Sequence, residues 1–199
     1  MNSHRRNRPR KTSTGRRRRA KWRLGPWLAI IIPVLFIAVA VAISVVDEPV
    51  ETETALTPVD FQLSTTTGEM VAFDADAPGR TLLYFAMGIG CDICFTQIPE
   101  IKTGLSLRGI RFLPIMVDPV DVIAREAQRL GVNSPILIDE DRTVSAAYGM
   151  LGLYGHGNIP THSFALIEDG ETAWVRHYPD VFVPAEAFFT ELDSAVRDG

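Results

Sequence analysis

Apolar residues recur along this 199-residue chain in three rhythms, and each predicts a different element. The longest run is WLAIIIPVLFIAVAVAISVV, Trp27 to Val46, twenty residues without a charge. A helix rising about 1.5 Å per residue would carry it across a hydrocarbon core of roughly 30 Å, so a transmembrane helix is predicted over 24–46. Strict alternation follows at Val59, Phe61 and Leu63, then a turn at Gly68-Glu69 and a second short strand, Met70 to Phe73, which together predict a hairpin. Thr81 to Met87 is almost continuously apolar and stops at Gly88, as a strand buried on both faces does. Helical spacing takes over from about residue 91 to Leu105, despite Pro99. Ile110 to Val117 is the next strand, and Val122, Ile123, Ala127 and Leu130 mark a helix over 120–130 that Gly131 ends.

The remainder continues that alternation. Ile136 to Ile138 reads as a strand and Asp139 to Tyr148 as a helix closed by Gly149. Thr161 to Ile167 and Thr172 to Tyr178 read as a hairpin turning at Glu168-Asp169-Gly170, and Pro184 opens a last helix with Ala187, Phe188, Leu192 and Val196 on one stripe. Strands alternating with helices predict an α/β domain around a largely parallel sheet with crossovers.

Charge divides the chain into regions with different surroundings. The overall net charge of -4 conceals a tail, residues 1–23, with 11 of the 20 Lys and Arg and no acid; from Asp47 onward 9 basic residues face 24 acidic ones. Such a basic flank stays on the cytoplasmic side of a span, so the C-terminal domain is expected outside a bacterial-type cell membrane on a single-pass anchor. Small residues at Ala38, Ala40 and Ala42 admit a cleaved signal peptide instead, but the apolar run exceeds the usual h-region. Nucleic acid is not an expected partner, because the Arg run abuts the span and reads as a topology signal or a contact to anionic lipid. The resulting organisation is a basic tail 1–23, a transmembrane helix 24–46, an acidic spacer 47–58 and a folded domain 59–199.

The chain has only two cysteines, Cys91-Asp92-Ile93-Cys94, placed where the buried strand gives way to a helix. At a helix start the first thiol meets unpaired N–H groups and the positive end of the macrodipole, which favour the nucleophilic thiolate. Cys94, three residues on, shares the helix face at a separation that suits a disulfide. Cys91 is therefore the expected nucleophile and Cys94 the resolving thiol. So small a ring constrains little of the unfolded chain, which argues against a structural staple, and a lone Cys pair lacks the four ligands of structural zinc. No metal and no cofactor beyond the redox-active Cys91–Cys94 disulfide is expected.

The segment YFAMGIGCDICFTQIPEI, with Pro99 five residues after Cys94, and Ile159-Pro160-Thr161 before FALIEDG, resembles the thioredoxin-like superfamily. The likeness is to its membrane-anchored TlpA/ResA-like, AhpC/TSA-related branch, over about residues 56–197. The resemblance implies a thioredoxin-like fold with a central mixed sheet, flanking helices and an N-terminal hairpin extension. It implies that Pro160 is cis and packs beside the cysteines, with Ile159, Thr161 and Gly90 meeting the substrate chain. It further implies a thiol-disulfide oxidoreductase acting on cysteine-containing exported proteins, with an upstream membrane electron donor as a partner.

The chain departs from the pattern at several positions. Gly90 replaces the expected aromatic residue, and Phe85 stands where thioredoxins bury an acid that moves protons. Asp92, beside the nucleophile, opposes the helix dipole and is expected to raise the Cys91 thiol pKa. His156 and His162 flank Pro160 as candidate modulators, and the glycine-rich stretch 150–158 is a candidate influence on access. Competing readings are an AhpC/TSA-type peroxidase, a Cu(I)-binding module using the cysteines and a histidine, and a scaffold that only binds partners. The peroxidases normally carry Thr three residues before the peroxide-reacting cysteine, where this chain has Gly88.

Overall fold

Four consecutive side chains, Leu82, Leu83, Tyr84 and Phe85, have no solvent exposure, and the fold is arranged around the strand that carries them. The computed structural model describes residues 50–51, 56–180 and 182–198. The basic tail, the predicted transmembrane helix and most of the spacer lie outside the described residues, among which no helix is long and apolar enough to cross a membrane. The strands are β1 (Val50–Glu51), β2 (Phe61–Thr65), β3 (Met70–Phe73), β4 (Arg80–Phe85), β5 (Ile110–Met116), β6 (Leu137–Ile138), β7 (His162–Glu168) and β8 (Glu171–Tyr178). The helices are α1 (Asp92–Leu107), α2 (Val120–Arg129), α3 (Thr143–Ala147) and α4 (Ala185–Asp198).

One sheet runs β1-β8-β7-β4-β5-β6-β2-β3. β4, β5 and β6 are mutually parallel, β7 and β8 antiparallel beside them, and the β2–β3 hairpin extends the far side by pairing with β6. This is the α/β arrangement with a mixed central sheet and a hairpin extension that the resemblance implies; the largely parallel sheet expected from the alternation of strands and helices is corrected, since among the described residues only the β4–β5 and β5–β6 ladders are parallel. The alternation along β4 explains both of its buried faces. Leu82 and Tyr84 join a core with Phe95, Ile98 and Ile101 of α1, Ile123 of α2 and Phe188 of α4. Leu83 and Phe85 join a second core with Phe73, Leu113, Ile115, Val144 and Tyr148. Burial of each such side chain contributes about 2 kcal/mol, so a polar residue in place of Leu82, Leu83 or Phe85 would destabilise a whole layer.

Three local differences from the sequence reading have physical causes. The helix expected from Asp139 begins only at Thr143, because the buried Asp139 carboxylate accepts hydrogen bonds from Val144 N–H (3.1 Å), Ser145 N–H (2.7 Å) and the Ser145 hydroxyl (2.7 Å). It thereby caps the helix from outside, with Arg142 in a left-handed conformation (φ 65°) turning the chain in. The spacer contributes to the sheet, since Val50 and Glu51 pair with His177 and Arg176 and the Leu56 carbonyl accepts the Thr172 hydroxyl at 2.6 Å. Pro114 is tolerated inside β5 because the Ala86 N–H bonds the Ile115 carbonyl. The backbone polar groups of residue 114 then face the β6 side, where pairing starts only at Ile115.

Helices α1 and α4 close over Gly104, where a Cβ would run into the Phe189 ring. Arg108 also holds that ring, with its guanidinium 4.2 Å from the ring centroid and two 2.7 Å bonds to Asp193. Gly104→Val is therefore expected to lower unfolding free energy by about 1–3 kcal/mol through overpacking, read as a lower urea midpoint at unchanged slope.

Candidate redox site

The C-terminal end of β4 delivers the chain into Gly88-Ile89-Gly90, a loop shaped by left-handed glycines at 88 (φ 84°) and 90 (φ 89°). Asp118, at the end of β5, holds the loop by accepting the Ile89 N–H at 2.8 Å. Its carboxylate lies so close behind Gly88 that a side chain there would collide with it. Gly88 is thus demanded by conformation and by space. The Cys91 N–H then closes a turn onto the Gly88 carbonyl at 3.2 Å, and Cys91 becomes the N-cap of α1.

Cys91 Sγ accepts the Cys94 N–H at 3.2 Å, so the sulfur itself fills the capping role usually taken by a side-chain oxygen. The two cysteines are joined in a disulfide, with Cα atoms 5.4 Å apart. Their environments differ. Cys91 retains 6% exposure next to Ile89 and Ile93, both more than a third exposed, whereas Cys94 has none. Asp92, next to the outer sulfur, is not a lone anion: Arg129 of α2 bonds it at 2.6 Å and also bonds Glu126 at 2.6 Å. The expected effect of Asp92 on Cys91 is offset by this cation.

Beneath the inner sulfur lies a buried polar cluster. His162 on β7 is 1% exposed, with Nδ1 3.8 Å from Cys94 Sγ. Tyr84 Oη lies 3.0 Å from His162 Nδ1 and 3.3 Å from Nε2, and donates to the Cys94 carbonyl at 3.3 Å. Burial pushes the Tyr84 hydroxyl well above its usual pKa, and pushes His162 down to about 4. Behind them Thr161 Oγ1, Ser163 Oγ (2.8 Å) and His177 Nδ1 (2.9 Å from Ser163) form a second buried chain. Burial also lowers His177 to about 4.

The other sequence candidates fall at different distances from this centre. Ile159 is 40% exposed, while Pro160 is buried. No peptide bond among the described residues is cis, so the cis expectation for Pro160 is corrected to trans. Trans is the lower-energy isomer by about 0.5–1 kcal/mol. Left-handed residues at Gly152, Tyr154, Gly155 and Gly157 already supply the bends of the approaching loop. Thr161 turns inward to Ser163, so its hydroxyl does not face a client. Gly90 is open on its free side, and His156 is half-buried in the loop without a hydrogen bond to either sulfur.

That loop is held in place. The Gly152 N–H bonds the Gly157 carbonyl (2.7 Å), Arg142 bonds the Asn158 carbonyl (2.9 Å) and the Tyr154 hydroxyl bonds the His177 carbonyl (3.1 Å). Sequence reasoning missed Tyr84, Asp118 and Arg129, whose signals were a polar tip inside an apolar strand, an acid at a strand end and a basic last helical turn. Among the described residues no group of three His, Cys, Asp or Glu side chains converges as a metal site.

The AhpC/TSA family model matches residues 57–175, from before β2 into β8 and across the whole cysteine site. The chain belongs to the AhpC/TSA family. Solved structures agree on its thioredoxin-like fold. The peroxidoxin BcpB of Mycobacterium tuberculosis is 24% identical with a TM-score of 0.56, covering 73% of this chain and 96% of that one. The bacterioferritin comigratory protein of Xanthomonas campestris is 19% identical at a TM-score of 0.58 over 72% and 98%. A candidate protein disulfide isomerase from Bacteroides thetaiotaomicron is 18% identical at 0.55 over 74% and 90%. No curated protein matches the chain. As an AhpC/TSA member this chain is a thioredoxin-like redoxin, of an oxidoreductase family that holds its Cys91–Cys94 pair at the first turn of α1.

His162 and His177 bind protons less readily folded than unfolded, where a pKa near 6.5 applies. Both contributions to stability are complete above that value and fade as pH falls through about 6.5 toward 4. Each shift corresponds to roughly 3 kcal/mol across the window. Urea unfolding of the oxidised protein from pH 7.5 down to 4.5 is expected to show a stability loss of this order, and His177→Asn should flatten the pH slope.

Proposed function

We propose that the protein is a membrane-tethered, extracytoplasmic thiol-disulfide oxidoreductase that exchanges disulfides with cysteine-containing exported proteins through Cys91 and Cys94. The observation that carries this reading is the unequal setting of the two sulfurs: Cys91 caps a helix N-terminus and keeps a small 6% exposure, whereas Cys94 has none. In the reduced protein the Cys91 thiolate, favoured by the Cys94 N–H and the α1 dipole, attacks a client disulfide and expels one client thiolate. Cys94 then attacks Cys91 Sγ, which closes the intramolecular disulfide and releases the second client sulfur. The reverse sequence oxidises a client dithiol. Exposed Ile89 and Ile93, beside the pair in sequence, offer apolar contact to a client chain.

Placement outside the membrane is supported by the apolar run from Trp27 to Val46 and the Arg-rich flank before it. In such a compartment the dithiol needs an upstream membrane donor to be regenerated, and the chemistry requires no cofactor beyond the disulfide.

Membership of the AhpC/TSA family favours a second reading, a thiol peroxidase. Against it stands position 88, where the peroxidases' Thr is replaced by a glycine whose side-chain space Asp118 occupies. The two readings part on substrate. Full-length Cys94→Ser is expected to accumulate stable mixed disulfides with exported proteins, and Cys91→Ser to form none and to lose model-disulfide reduction by roughly 1000-fold or more. Rapid second-order peroxide consumption by the wild type, without mixed disulfides in the Cys94→Ser chain, would overturn the oxidoreductase reading in favour of the peroxidase.

A further inference from the structure

Cys94 faces a difficulty that Cys91 does not. To resolve a mixed disulfide it must attack as a thiolate, yet its sulfur has no exposure and water cannot take its proton. Phe85, at the position where thioredoxins bury a proton-moving acid, points into the other core and offers nothing. Strand register supplies a different group. β7 pairs with β4 so that Phe164 lies opposite Tyr84, and His162, two residues before Phe164, therefore projects from the same face of the sheet, beneath α1. Its Nδ1 reaches Cys94 Sγ at 3.8 Å.

We propose that His162 is the base that removes the Cys94 proton during resolution, and that Tyr84 is the positioning residue that holds its ring. The proposal rests on the thiol-disulfide reading above. The Tyr84 hydroxyl donates to the Cys94 carbonyl at 3.3 Å, and its oxygen lies 3.0 Å from Nδ1 and 3.3 Å from Nε2; with Nε2–H as the donor to that oxygen, the Nδ1 lone pair is left to accept from the Cys94 S–H of the reduced protein, 3.8 Å away. In the step, the S–H proton passes to Nδ1 as the Cys94 sulfur bonds to Cys91 Sγ and the Cys91–client S–S bond breaks with its electron pair on the client sulfur. The departing thiolate takes up one proton and His162 gives one back. The sum is one client disulfide reduced to two thiols and one protein dithiol oxidised to a disulfide.

The surroundings suit a neutral base. The groups facing the imidazole are Tyr84 from β4, Cys94 from α1, apolar Phe164 of its own strand and Tyr178 from β8, whose ring centroid is 6.5 Å away. The Tyr178 hydroxyl is bonded to Glu191 of α4 at 2.9 Å, and Glu191 pairs with Arg176 at 3.0 Å, so these two charges compensate one another. Burial keeps His162 uncharged over the working range. Its protonation is then favoured only while a thiolate forms against it, which ties proton transfer to the attack.

The test uses the full chain in detergent, reduced and then mixed with a disulfide whose two halves are chromophoric thiols. The first thiol released reports attack by Cys91, and the second reports resolution by Cys94. In His162→Gln the first release should stay within about 2-fold of wild type. The second should slow about 100-fold and climb about tenfold per pH unit, following the free thiol, where wild type is nearly flat. Tyr84→Phe, which preserves the ring, should slow the second release alone by about 5-fold, with the ring nitrogen chemical shifts of His162 moving toward a tautomer mixture. A His162→Gln chain that resolves as fast as wild type, or more slowly with an unchanged pH profile, would overturn the assignment. So would unaltered His162 shifts in Tyr84→Phe, which decides the matter where the glutamine variant does not fold. A wild-type chain that releases the first thiol and never the second would sink the thiol-disulfide reading itself.

Discussion

Two-sided burial of β4 is the constraint from which the rest of the structure follows. A strand with water on neither face must have a complete layer on each, so α1, α2 and α4 cover Leu82 and Tyr84 while the hairpin side and α3 cover Leu83 and Phe85. The same strand ends where polar chemistry has to start. After Phe85 the chain leaves the sheet through two left-handed glycines and enters α1 at Cys91, and the Asp118 bond to Ile89 fixes that exit. Cys91 is therefore positioned by the most deeply anchored part of the domain.

Burial also creates the contrast between the sulfurs. Joined directly by the disulfide, Cys91 keeps a 6% exposure at the N-terminus of α1, while Cys94 has none and is packed on the aromatic face of the sheet. An apolar interior would close over Cys94 at least cost, yet three polar side chains, Tyr84, His162 and Cys94, meet there and satisfy one another. Such networks stabilise only when each member is paired, so their retention at the reacting centre is informative. Family membership alone leaves two chemistries open, thiol-disulfide exchange and peroxide reduction.

Much of this was legible in residue order. Periodicity placed the β2–β3 hairpin, the strand at Thr81–Met87, the helix closed by Gly131 and the β7–β8 hairpin, because each depends on local alternation or a turn residue. The two cysteines were legible because their spacing after a buried strand leaves few geometries. Pro160 was misjudged because the resemblance implied an isomer that the local loop does not require. Tyr84, Asp118 and Arg129 were invisible because their partners lie 10, 29 and 37 residues away on other elements, and tertiary packing rather than local sequence brings them together. Of the two candidate histidines, sequence offered no way to choose; the side-chain alternation of β7 turns His162 toward the sulfur and leaves the loop residue His156 away from it.

The sulfur that caps α1 is also the reacting atom of the thiol-disulfide exchange proposed above, and this has a thermodynamic consequence. An N–H aimed at Cys91 Sγ and the positive helix terminus hold a thiolate more firmly than a neutral disulfide sulfur. Whatever stabilises the dithiol form relative to the bonded form makes the pair a more willing electron acceptor. Reactivity of the outer sulfur and the preferred direction of electron flow are thus a single setting, and the Asp92–Arg129 pair beside it is a surface contact through which ionic strength can adjust both.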